Sequence, residues 1–160
     1  MPTEMPPYLY QGARAMVLLH EEHLAEFLVI WRRARAAGIK LPETSDPDYA
    51  SLETILRHVL ACARGYMTWM CEKLELDDPQ IDPPPPPERV AEEADAYLKH
   101  IAERWRSPLC EVPEERFGVP EYRSRWDVLY CIDAMLEHAV MHPIRHGFQL
   151  RNLIEAKPRA

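Results

Sequence analysis

The sequence predicts an all-α fold, a four-helix bundle with a proline-rich crossover between its second and third helices and a long loop between its third and fourth. Three observations carry that expectation. Four segments repeat apolar residues at three- and four-residue steps, the period of an amphipathic helix. No segment alternates apolar and polar residues over a useful strand length, and no motif recurs at a fixed period. Apart from those near the two chain ends, the prolines gather between the four segments or at their starts, Pro143 excepted. Residues 1–160 are short enough for a single domain with one core.

The first helix is expected over residues 13–37, with Val17, Leu24, Phe27, Leu28 and Trp31 on its apolar side. Gly38 stops it, and Arg32, Arg33 and Arg35 complement the negative end of its dipole. GIKLPETSDPD is a connection ending at Asp46, which is suited to cap a second helix starting at Pro47. That helix carries the widest apolar face, from Leu52 through Ile55, Val59, Ala63 and Met67 to Met70, and is expected to end near Leu76.

DDPQIDPPPPPE cannot continue it, because successive prolines lack amide hydrogens and clash with preceding carbonyls. The run reads as a stiff, polyproline-like spacer; a ligand for proline-binding domains would want a flanking arginine that is not placed here. The third helix is expected over residues 87–106, with Val90, Ala94, Tyr97, Leu98, Ile101 and Trp105 on one side. Residues 107–123 hold three prolines and a glycine and read as a loop able to cover a site. The last helix is expected from Ser124 to Glu155.

The formal net charge of −7 and pI near 5.5 oppose a broad electrostatic grip on nucleic acid or anionic lipid. Small molecules or proteins are the expected partners. No basic stretch followed by an apolar run opens the chain, no span of about 18 apolar residues occurs, and Cys62, Cys71, Cys110 and Cys131 form no CxxC pair. These features read as a cytoplasmic protein with reduced thiols.

The stretch HAVMHPIRHGFQ, residues 138–149, holds three histidines at four-residue steps. With about 100° per residue and Ala139 as zero, Val128, Ile132, Met135, Leu150 and Leu153 fall within about 40° and form the core stripe. His146 then lies at about −20° and His142 at about −60°, while His138 is out near −100°. Two imidazoles four residues apart on one buried face can reach a single metal ion. His58, between Ile55 and Cys62 on the apolar side of the second helix, is the expected third ligand. A lone inward histidine is ordinarily a hydrogen-bonded core residue, but three share the cost of burial if a divalent ion satisfies them together. Pro143 removes the amide that would bond the Ala139 carbonyl, so a local kink is expected.

The segment HPIRHGFQ, residues 142–149, resembles the HxxxHxxQ signature near the end of DinB-like (DinB/YfiT) proteins. LRHVLACARGYMTWM, residues 56–70, resembles their second-helix motif around a lone histidine, and Trp126 and the helix order extend the likeness over nearly the whole chain. The resemblance implies one divalent ion held by His58, His142 and His146. It also implies a metal-dependent enzyme, such as a thiol-dependent S-transferase acting with a low-molecular-weight thiol or a hydrolase, and a homodimer. In that family an Arg often follows the last His directly, whereas Gly147 and Phe148 stand here and Arg145 precedes His146. A substrate contact assigned to that Arg therefore does not carry over.

Three neutral nitrogen ligands leave a coordination position open, the arrangement of a catalytic site. Imidazole donors favour zinc or nickel and are compatible with iron or manganese. Glu137 and Gln149 are available as acceptors for the distal ring nitrogens. Cys62, four residues after His58, is a weaker thiolate candidate, and His20 falls near the apolar stripe of the first helix as a core or rim residue. His23, His100 and His138 fall on flanks or polar faces. A ferritin-like di-iron centre needs inward ExxH pairs, a hemerythrin-like centre HxxxE and a zinc protease HExxH, and none fits the sequence here. The reading from another class is a non-enzymatic bundle that holds a small molecule or a protein partner.

Overall fold

The structure, a computed structural model, describes residues 4–159. The fold is all-α: four long helices, α1 (Gln11–Ala36), α2 (Leu52–Lys73), α3 (Pro87–Trp105) and α5 (Ile132–Ala156), surround the core, with a one-turn helix α4 (Glu115–Gly118) between the last two. α1 lies along α5, and α2 packs against α3 and α5. The only regular β-structure among the described residues is a two-stranded hairpin, β1 (Tyr122–Arg123) with β2 (Leu129–Tyr130), antiparallel with Tyr122 opposite Tyr130.

The predicted stripes of the first three long helices point inward: Val17, Leu24, Phe27, Leu28 and Trp31 on α1, the Leu52-to-Met70 series on α2, and Val90, Ala94, Tyr97, Ile101 and Trp105 on α3 are buried, with Leu98 partly buried against the core. Buried indoles also tie helices to their neighbours through backbone bonds. Trp31 Nε1 donates to the Leu52 carbonyl at 2.6 Å, and Trp105 Nε1 to the Ala63 carbonyl at 3.1 Å. Each satisfies a polar atom that burial would otherwise leave costly.

The proline-rich crossover docks rather than loops free. Ile81 is buried, its carbonyl accepts from Arg64 Nε at 2.8 Å, and Pro87 opens α3. The four cysteines are free thiols, and no helix among the described residues is long and apolar enough to cross a membrane.

Two boundaries differ from expectation. Asp46 does cap a helical start, accepting from the Asp48 amide at 3.0 Å, but the start is only a single 3-10 turn, Pro47–Tyr49. The α-helix begins after Ser51, which is extended and forms a reciprocal capping box with Thr54. The last helix begins at Ile132, eight residues later than Ser124. Ser124 instead closes the hairpin: its hydroxyl accepts from the Val128 amide at 3.1 Å, its own amide bonds the Val128 carbonyl at 2.8 Å, and Asp127 turns the chain at φ 65°. Val128, placed on the core stripe by helix phase, is therefore exposed, and Trp126, near the expected start of that helix, stands 44% exposed on the hairpin loop. The expected loop of residues 107–123 likewise carries α4, whose Phe117 is fully buried.

Candidate metal centre

Helices α2 and α5 bring together the three histidines singled out by the sequence. His58 Nε2 lies 3.2 Å from His142 Nε2. The His146 ring packs edge-on against both, with centroids 4.6 Å from His142 and 5.4 Å from His58. Two nitrogens bound at about 2.0–2.1 Å to one tetrahedral ion stand about 3.3 Å apart, so the His58–His142 spacing fits a shared cation. Cys62 joins this pair: the ligand atoms of His58, Cys62 and His142 all lie within 4.8 Å of one another, with Cys62 Sγ 3.8 Å from His58 Nε2. His146 stands beside that group.

The distal nitrogens explain why the inner ones are available. Asp48, in the 3-10 turn, holds its carboxylate 3.1 Å from His58 Nδ1. Gln149 Oε1 lies 3.0 Å from His146 Nδ1. An Nδ1–H donating to each oxygen leaves Nε2 with a bare lone pair, the tautomer a metal ligand requires. His146 Nε2 is buried and has no hydrogen-bond partner, as has His142 Nδ1. Such orphaned atoms are costly unless something meets them, and a cation meets the first directly.

Protonation states agree with this geometry. Burial, reinforced by the neighbouring imidazoles and Arg145, pushes His142 down to about 2. Burial and His58 push His146 down to about 4, against the opposing pull of Gln149. Both rings are neutral at physiological pH. Burial raises the Cys62 thiol to about 11, with the Tyr66 hydroxyl beside it working the other way. Without a cation Cys62 is a thiol.

Pro143 sits inside α5, buried between the two inward histidines, and the helix runs on through it. Clefts open on both sides of the cluster. One of about 660 Å³ is bordered by Tyr49, Arg145, His146 and Gln149, and one of about 420 Å³ by His58, Cys62, Tyr66 and the hairpin loop.

The remaining histidines separate cleanly. His20 is 1% exposed and stacks on Trp105 at 3.7 Å between near-parallel rings, so it belongs to the core. His23 pairs with Glu26, and His100 Nε2 accepts from the Asp82 amide. His138 stacks on Trp126 with centroids 5.1 Å apart. Glu137 is exposed, and its charge bears on Tyr10 and Asp133. Sequence reasoning missed Asp48 as the partner of His58. The available signal was the Ser51-x-x-Thr54 capping box, which puts Asp48 outside the helix and one turn of chain away from it.

Compared with protein-family models, curated proteins and solved structures, the chain matches none.

Proposed function

We propose that the chain is a four-helix bundle of the DinB-like type in which His58, His142 and His146 bind one divalent ion, and that it is a metal-dependent enzyme acting on a small molecule, by thiol-dependent transfer or by hydrolysis. The observation that carries this reading is the 3.2 Å approach of His58 Nε2 to His142 Nε2 beside the partnerless Nε2 of His146. Zinc or nickel suits the imidazole donors best, and iron or manganese can replace them. When bound, such an ion supplies Lewis-acid chemistry, lowering the pKa of a coordinated water or thiol.

The chain's own residues prepare the site. Asp48 and Gln149 fix the two ring orientations, burial keeps His142 and His146 unprotonated, and the flanking clefts admit a ligand from two directions. The reading extends to a cytoplasmic homodimer with a low-molecular-weight thiol among its ligands; light scattering tests the dimer.

One observation favours a second reading. A spacing of 3.2 Å is also a hydrogen-bond distance, so one imidazole N–H can satisfy the other ring without an ion in a non-enzymatic, small-molecule-binding bundle. Metal content decides. Protein purified without added nickel is expected to carry one ion per chain by elemental analysis, and His58→Ala and His142→Ala are expected to lose it while staying helical. A chain that never binds metal stoichiometrically, even after dialysis against zinc, overturns the enzyme reading.

A further inference from the structure

Around the smaller cleft, the protein reverses its own charge. The chain carries 26 acidic and 19 basic side chains other than histidine, yet two arginines, Arg57 and Arg125, border this cleft with a single carboxylate, Asp48. That carboxylate is engaged by His58 Nδ1. Other guanidiniums of the chain have carboxylate partners, among them Arg32 with Asp95, Arg106 with Glu21, Arg123 with Asp127 and Arg89 with Glu93. Neither Arg57 nor Arg125 forms an ion pair within 4.0 Å among the described residues.

The cleft is also aromatic and firmly built. Trp69 and Tyr66 come from α2, and Trp126 from the hairpin loop. Trp69 is fixed by donating to the Arg123 carbonyl at 3.2 Å. Trp126, though 44% exposed, is held by Tyr66, Tyr130 and His138 at centroid distances of 6.5, 5.4 and 5.1 Å. The Ser124 amide donating to the Val128 carbonyl and the Val128 amide donating to the Ser124 hydroxyl lock the loop that presents Arg125 and Trp126. On α2 a Cβ added at Gly65 would sit 3.6 Å from Arg125 Nη1, so the guanidinium lies over the bare backbone there. An exposed indole on a pinned loop, beside two unpaired guanidiniums, lines a space of about 420 Å³, within the usual range for small-ligand sites.

We infer that this cleft binds a small aromatic carboxylate, its ring against Trp126 and Trp69, its anion between Arg57 and Arg125. The Arg side chains supply the charge-assisted hydrogen bonds that a carboxylate accepts, and the indoles the flat apolar contact. His58 and Cys62 border the same cleft, so a ligand seated there lies beside the metal centre; the inference rests on the proposed function only for that consequence.

The test is calorimetric titration of the full chain with 1-naphthoate and its neutral isostere 1-naphthamide, metal content being read in each sample. The expected result is 1-naphthoate binding about tenfold or more tighter than the amide, in keeping with a charge-assisted pair. Arg57→Gln and Arg125→Gln should each remove most of that preference, and Trp126→Ala should weaken both ligands. Equal affinity for acid and amide, or unchanged naphthoate affinity in both arginine variants with native circular dichroism, overturns the inference. If metal stays at one per chain while naphthoate fails to bind, only this inference falls. Arginine-dependent naphthoate binding by a chain that holds no metal upholds it and sinks the enzyme reading instead.

Discussion

His58 and Asp48 are joined across the short break between the 3-10 turn and α2, Nδ1 to Oδ2 at 3.1 Å, with the carboxylate on the side of the ring away from His142. The pairing orients the imidazole and holds its Nδ1–H on the carboxylate, leaving Nε2 free to face the centre. Loss of such a partner typically costs about 10–100-fold in metal affinity. Asp48→Asn is therefore expected to weaken zinc binding by about that factor, read by competition with a chromophoric chelator, with the fold unchanged. Gln149→Ala should weaken it through His146. Unaltered affinity in both variants would show that the outer oxygens do not set the ring tautomers.

Cys62 makes a separable contribution. Its thiol is pushed up to about 11 by burial, so at pH 7 it enters any metal complex by giving up a proton. Cobalt-loaded protein is expected to show a strong near-ultraviolet sulfur-to-metal absorption that Cys62→Ser abolishes. Calorimetry in buffers of different ionisation enthalpy should find about one proton more released by the native chain than by that variant. Identical spectra would confine the donors to the histidines.

Legibility followed period. The α1, α2 and α3 stripes and the inward phase of His142 and His146 came from spacing alone, because long amphipathic helices repeat their signal over many turns. Short-range hydrogen bonding defeated the same reasoning at residues 124–131. Ser124 and Asp127 are turn formers, and the Ser124 bonds to Val128 close a hairpin where helical phase would continue the stripe. That hairpin delivers Arg125 and Trp126 to the cleft, so this half of the site was invisible to helix phase. Cys62 was in view but ranked low, since a buried thiol has an ordinary explanation in packing.

Gly147 ties the site to the packing of α1 on α5. A Cβ built there would meet Ile30 Cδ1 at 3.1 Å, a tight approach to a buried side chain, and Phe27 Cδ2 at an ordinary 3.9 Å. The glycine thus lets the helices approach where His146 turns inward. Gly147→Leu is expected to destabilise the protein by about 1–3 kcal/mol through overpacking. Its zinc affinity should fall as well, because separation of the helices shifts His146. Urea denaturation and chelator competition measure the two effects, and a variant as stable as the native chain would show that the interface relaxes freely.

Acid should unfold the metal-free protein through its buried imidazoles. His20, His142 and His146 are lowered from 6.5 to about 3, 2 and 4, in each case chiefly by burial. A histidine with a depressed folded pKa binds more protons when unfolded, so its contribution to stability is full above about pH 6.5 and is lost as pH falls toward the folded value. At pH 5 each such group costs up to about 2 kcal/mol relative to neutral pH. Denaturant midpoints of chelator-treated protein are expected to drop steadily from pH 7 to pH 5. His20 contributes independently of the metal centre, because it stacks on Trp105 with its Nε2 unpartnered. His20→Phe keeps a ring there and removes the proton site, so it should flatten the pH dependence while leaving zinc affinity as it was. A slope unchanged by His20→Phe would mean that the ring takes up its proton without leaving the core.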